Sequence, residues 1–184
     1  MRKMTAKTAG FVGLGLMGFP MAANLLGNGW EVTAWNRSAE ALAELEKLGG
    51  NRSESVAGLR DQPVIIFMLP DLSYILDAAA PLLESWRSDA PLPGTTIIIM
   101  SSVSPAAVQE FGRTVHSASG GNAVVVDAPV SGGTKGAQDG TLAIMVGPPR
   151  KTSSDRFPCS NPWGPPSAAW ATWVPDRWQR HATN

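Results

Sequence analysis

Residues 13–18 read Gly13-Leu14-Gly15-Leu16-Met17-Gly18, and this G-x-G-x-x-G constrains the fold more than any other stretch of the chain. The hexapeptide alone is a weak signal. Its force comes from its place between an apolar strand pattern at 9–12 and a helical pattern at 18–26. In a strand–turn–helix unit each glycine has its own duty. Gly13 permits the tight turn, Gly15 lets the backbone approach a pyrophosphate, and Gly18 lets the helix pack closely on the strand. Leu14, Leu16 and Met17 complete the turn, and the helix start presents free N–H groups and a partial positive charge to the phosphates.

The rest of the pattern agrees with such a unit. Strands are predicted at 31–35, 64–69, 96–100, 123–126 and 142–146, with helices at 39–48, 72–83 and 105–115. Several strands are almost continuously apolar, as in Val64-Ile65-Ile66-Phe67-Met68 and Ile97-Ile98-Ile99. Strands covered by helices on both faces read this way. Ser38 and Ser104 are expected to cap the second and fourth helices, and Pro105 suits a first helical turn. Alternating strand and helix with no internal repeat predicts an α/β, doubly wound, Rossmann-type fold with a mostly parallel sheet.

The end of the second strand bears on the choice of dinucleotide. A carboxylate there would accept the ribose 2′-hydroxyl of NAD, but the chain reads Trp35-Asn36-Arg37-Ser38. Asn36 is neutral and Arg37 is suited to a phosphate, so NADP is favoured over NAD. Charge balance excludes other partners: 15 basic residues face 15 acidic ones, with no basic excess for nucleic acid or an anionic membrane. No run approaches the ~20 apolar residues of a membrane span. The glycine-broken N-terminal run reads as a strand and turn, not a signal peptide. A single cysteine, Cys159, allows no intrachain disulfide, and a cytoplasmic location is expected.

At this point the sequence resembles the β-hydroxyacid dehydrogenase family, which includes 3-hydroxyisobutyrate dehydrogenase and tartronate semialdehyde reductase. Four motifs carry the resemblance between residues 9 and 147. They are Gly10-Phe11-Val12 through Gly18 with Pro20-Met21-Ala22-Ala23-Asn24-Leu25; Met68-Leu69-Pro70 with Asp71; Met100-Ser101-Ser102-Val103-Ser104-Pro105; and Asp127-Ala128-Pro129-Val130-Ser131-Gly132-Gly133, followed by Gly136-Ala137 and Gly140-Thr141-Leu142. The resemblance implies that Leu69 and Pro70 line the adenosine-ribose side of the cofactor. It places Ser102, where the family usually has threonine, near the nicotinamide. It gives Ser131, Gly132 and Gly133 to the carboxylate of a small hydroxy acid or semialdehyde, held by a hydroxyl and backbone N–H groups. Ile99 departs from the aspartate that family members often carry. Met68, Met100 and Met145 are expected in the core, and His116 and Lys135 at the surface. An imine reductase of the same superfamily and a non-catalytic dinucleotide-binding module are the alternative readings.

The resemblance also implies what is missing. Family members transfer the substrate proton with a lysine in a K-x-x-N pattern, which opens an all-helical second domain that builds most of the dimer. No K-x-x-N occurs in the 184 residues, so no catalytic residue is assigned. The Rossmann domain is expected over 1–147. Residues 148–184 read as an irregular tail carrying four of the seven tryptophans, Trp163, Trp170, Trp173 and Trp178. Tryptophan has the single codon TGG. Moving the reading frame back by one base therefore forces glycine at the Trp163/Gly164, Trp170/Ala171 and Trp173/Val174 junctions, and permits lysine and asparagine after them. The expectation is a frameshift near 147–150 and a truncated, inactive dehydrogenase.

Overall fold

A computed structural model describes residues 7–146. Within them the chain runs β1 (Thr8–Val12), α1 (Gly18–Gly27), β2 (Glu31–Trp35), α2 (Ala39–Lys47), β3 (Asn51–Arg52), a 3-10 turn (Val56–Leu59), β4 (Val64–Phe67), α3 (Leu72–Ser88), β5 (Thr95–Ile99), α4 (Pro105–Ala118), β6 (Ala123–Asp127), β7 (Val130–Ser131), α5 (Gly133–Asp139) and β8 (Ala143–Ile144). The first six strands form one sheet in the order β3-β2-β1-β4-β5-β6, and every neighbouring pair is parallel. The doubly wound, Rossmann-type architecture is therefore as the sequence predicts. The irregular tail and the frame change expected near 147–150 lie outside the described residues.

The continuous apolar strands have a direct cause. On one face Phe11, Val32, Ala34, Ile66 and Ile98 pack with Met21 and Leu25 of α1 and Leu42 and Leu45 of α2. On the other face their chain neighbours Val12, Ile65, Phe67, Ile97 and Ile99 pack with α3 and α4. Successive side chains point to opposite faces, so a sheet covered twice needs an apolar residue at every position. Full burial of each large side chain contributes roughly 1.5–3 kcal/mol. Trp86 is the largest, with its indole N–H donating to Arg60 O at 3.2 Å.

Several local expectations are corrected. Residues 142–146 do not add a sheet strand; β8 pairs antiparallel with β7 in a separate two-stranded ribbon. The chain reverses between β7 and β8 through α5, whose seven residues are too few for a parallel crossover. Helix α3 passes through Pro81 and continues to Ser88. The lost hydrogen bond and the ring clash cost about 3 kcal/mol, offset by burial of Leu82, Leu83 and Trp86 beyond it. Ser38 and Ser104 occupy the capping positions, yet neither side chain caps. The side-chain cap is instead Asp71, whose Oδ1 accepts from the N–H of Ser73 at 2.8 Å and of Tyr74 at 3.3 Å. Met100 is buried and Met68 half-buried against the core, but Met145 is 55% exposed between Ile144 and Val146, which pack on the core. No helix among the described residues is long and apolar enough to cross a membrane.

Candidate functional site

From β1 the chain proceeds to β2 and β3 on one side of the sheet, and from β4 to β5 and β6 on the other. The order reverses between β1 and β4. At such a switch point the loops leaving the two strands diverge and open a crevice at the carboxyl edge of the sheet. The 13–18 turn leaves β1 there, and Leu69 and Pro70 follow β4.

The three glycines of the turn are under different constraints. Gly13 has φ +99°, and a Cβ on it would stand 2.4 Å from Met68 O and 2.7 Å from Leu69 Cδ2. Its N–H donates to Trp35 O at 3.0 Å, so the turn is tied to β2 and pressed against the end of β4. A Cβ on Gly18 would meet Gly13 O at 1.9 Å, and only glycine lets α1 start so close to the strand. At Gly15 a Cβ would meet nothing within 4 Å. No protein contact demands glycine there; the space itself is what a side chain would remove. The N–H groups of Gly15, Leu16 and Met17 donate to no described residue. Together with the N-terminal end of the ten-residue α1 they could hold an anion.

Asn36 has a role that the sequence did not disclose. Its Oδ1 accepts from the N–H of Leu14 at 2.9 Å, and its Nδ2 donates to Ser38 O at 3.1 Å. The amide thus braces the glycine turn against the loop after β2. Arg37 and Ser38 are exposed, and Arg37 has no hydrogen bond or ion pair with a described residue.

The loops after β4 and β5 are latched by a residue that sequence reasoning missed. Ser101 Oγ accepts from the N–H of Leu69 at 3.1 Å and donates to Leu69 O at 2.6 Å. Ser101 is buried, whereas Ser102, expected near the nicotinamide, is exposed at the same edge. Leu69 is half-buried and Pro70 exposed. The only signal for Ser101 was its hydroxyl next to an apolar strand end, and Ser102 offered the same.

Ser131 lies in β7, exposed, while Gly132 and Gly133 adopt φ +132° and +61° and open α5. Leu142 packs beneath this turn, its Cδ2 3.1 Å from where a Cβ on Gly132 or on Gly136 would stand. Asp127 ends β6 just before it. Its Oδ1 is buried without a hydrogen-bond partner among the described residues, and burial pushes its carboxyl above the ordinary aspartate value. Lys135 is exposed and pairs with Asp139, and His116 is exposed in the last turn of α4, toward the opposite edge of the sheet. An open cleft of about 980 Å³ runs from Leu14, Gly15 and Leu16 past Phe19, Pro20 and Ala23 to Gln138 and Gly140.

The chain is similar in sequence and structure to known proteins. Residues 8–160 match the family model of the NAD-binding domain of 6-phosphogluconate dehydrogenase. The chain is 39% identical over 140 residues to Escherichia coli 2-hydroxy-3-oxopropionate reductase, covering 75% of this chain and 46% of that protein. It is 34% identical over 151 residues to human mitochondrial 3-hydroxyisobutyrate dehydrogenase, covering 79% and 43%. The structure matches that of Mycobacterium tuberculosis 3-hydroxyisobutyrate dehydrogenase with L-serine at TM-score 0.66 and 34% identity, covering 78% of this chain and 47% of that one. The chain spans about half the length of the relatives it matches.

Proposed function

This chain belongs to the β-hydroxyacid dehydrogenase family, and we propose that it binds a nicotinamide dinucleotide, NADP in preference to NAD, at the switch point between β1 and β4. The observation that carries this reading is the 13–18 turn, with three N–H groups that donate to no described residue beside a glycine whose missing side chain leaves open space. A pyrophosphate uses both features. Gly13 and Gly18 shape the turn, and Leu14 is held by Asn36. No carboxylate stands at the end of β2 to repel a 2′-phosphate, and the exposed Arg37 guanidinium next to it attracts one. Leu69 and Pro70 flank the adenosine-ribose side, and Ser102 sits toward the nicotinamide.

The substrate class is a small 3-hydroxy acid or the matching semialdehyde. Its carboxylate is assigned to the Ser131 hydroxyl and the N–H groups of Gly132 and Gly133. When bound, the nicotinamide supplies or takes the hydride. The substrate oxygen also needs a group that moves its proton. The 184 residues contain no K-x-x-N, and Lys135 is engaged with Asp139 at the surface. On this reading residues 7–146 hold the dinucleotide and the acid's carboxylate, and the group that moves the proton is not assigned among them.

Calorimetric titration of the 184-residue chain with NADPH and NADH tests the first part. NADPH should bind more tightly, and Arg37→Ala should bring the two affinities within about threefold of each other by removing a charge-assisted contact. Absence of NADPH binding overturns the reading. With NADPH bound, 3-hydroxyisobutyrate should bind the same chain, and failure of every small 3-hydroxy acid to bind overturns the second part. A cyclic imine in the same assay separates the imine-reductase alternative.

A further inference from the structure

The phosphate turn and the acid turn belong to different helices, α1 and α5, far apart in sequence. One side chain joins them. Asn24, half-buried on α1, donates through Nδ2 to Ala137 O at 2.7 Å and to Gln138 O at 3.2 Å, and also to Pro20 O at 3.0 Å. The carbonyls of Ala137 and Gln138 lie in the last turn of α5, where a helix has no donors of its own to offer. Gly140, left-handed at φ +65°, closes α5 and sends its N–H to Gly136 O, where Thr141 N–H also donates at 2.9 Å. Asn24 therefore supplies from another element a donor for the two carbonyls that the Gly140 cap does not reach. Ala137 is fully buried, so its carbonyl would be left without water if Asn24 were removed.

We propose that Asn24 is a positioning residue that couples the two turns, so that occupation of the 13–18 turn by a pyrophosphate orders the 131–136 segment for a carboxylate. The inference rests on the dinucleotide reading above. The physical basis is a short rigid path. The N-terminal end of α1 carries the phosphate cradle, and two turns further on Asn24 grips the C-terminal end of α5. The other end of α5 carries Gly133 and, packed on Leu142, Gly132. A ligand that steadies α1 steadies α5 through this grip, and less ordering is then left for the acid to impose.

Amide hydrogen exchange of the 184-residue chain, read by NMR, tests this. The probe is 2′-phospho-ADP-ribose, which fills a pyrophosphate site but has no nicotinamide ring to touch the acid turn. In the wild type the probe should slow exchange in the 13–18 turn and also at the amides of Gly136 and Thr141. In Asn24→Leu, exchange at Gly136 and Thr141 should be about 10-fold faster without probe, as for one lost net hydrogen bond, and the gain from probe should vanish there while persisting at 13–18. Asn24→Asp places a carboxylate against three carbonyls, and it should recover protection at these amides as pH falls and the acid regains a donor. A role confined to packing would give no such pH-dependent rescue and no selective loss of the probe effect. An equal response to probe at Gly136 and Thr141 in wild type and Asn24→Leu overturns the coupling. So does a wild-type response limited to 13–18. If Asn24→Leu does not fold, the wild-type response and the Asn24→Asp pH series decide. If the probe alters neither segment of the wild type, the dinucleotide reading falls, and this inference with it.

Discussion

Replacing Asn36 by aspartate separates two roles that the structure combines in one amide. Asn36 Oδ1 accepts from Leu14 N–H at 2.9 Å, and an aspartate oxygen of the same shape keeps that bond with a charge behind it. Nδ2 donates to Ser38 O at 3.1 Å, and there the aspartate sets oxygen against oxygen. The lost bond should cost about 1 kcal/mol of stability, partly recovered at Leu14. The effect on the ligand is larger and has opposite signs for the two dinucleotides. A 2′-phosphate carries between about −1.5 and −2 charges near neutral pH. At roughly 5 Å from a new carboxylate, with an effective dielectric between surface protein and water, the repulsion is about 2 kcal/mol. NADPH affinity should therefore fall about 30-fold, while NADH, whose ribose hydroxyl gains an acceptor, should hold or tighten severalfold. Titration calorimetry of both dinucleotides against wild type and Asn36→Asp reads the ratio. Added salt should shrink the difference, because the repulsion acts at an exposed edge. Asn36→Ala is the control, since it leaves Leu14 N–H without its partner and should weaken both ligands alike. If Asn36→Asp leaves the NADPH/NADH ratio within about threefold of wild type, the end of β2 does not face the ribose and the assignment of Asn36 and Arg37 fails.

The same structure sets further expectations. Gly15→Ala should fold with an unchanged melting temperature, since its Cβ meets nothing within 4 Å, yet lose most dinucleotide affinity; Gly13→Ala, strained at φ +99° and 2.4 Å from Met68 O, should lose several kcal/mol of stability by urea unfolding. Ser101→Ala removes both bonds to Leu69 and should cost about 2 kcal/mol in the same assay, with a weaker dinucleotide titration because the loop after β4 is released. Asp127→Asn should be more stable than wild type at neutral pH. The Asp127 carboxyl titrates above its ordinary value in the folded chain, so its contribution is fully present below the unfolded value and is lost as pH rises through the folded one. The gap between variant and wild type should therefore close as the urea titrations move from neutral to acid pH, and a gap that widened toward acid would show that Asp127 is stabilised as a carboxylate.

What could be read from the sequence, and what could not, divides along the range of the interactions involved. Gly13 and Gly18 were legible because a tight turn against a strand demands glycine within a few residues of chain. The six sheet strands were nearly all legible because a sheet covered on both faces needs apolar residues in succession. The two-residue β3 and β7 and the seven-residue α5 are too short to show any period. The side chains that assemble the site act at long range. Ser101 meets Leu69 across 32 residues, and Asn24 meets Ala137 across 113. Nothing in the local text distinguishes Ser101 from Ser102, although one is buried as a latch and the other exposed at the crevice. Asn36 shows the same limit. Its neutrality is visible in the sequence and, on the proposed dinucleotide reading, bears on the ribose, but its grip on Leu14 appears only once β1 and β2 lie side by side. Asn36→Ala therefore alters the brace on the glycine turn without adding charge, and Asn36→Asp adds charge while keeping the brace, so the two variants together divide what one amide combines.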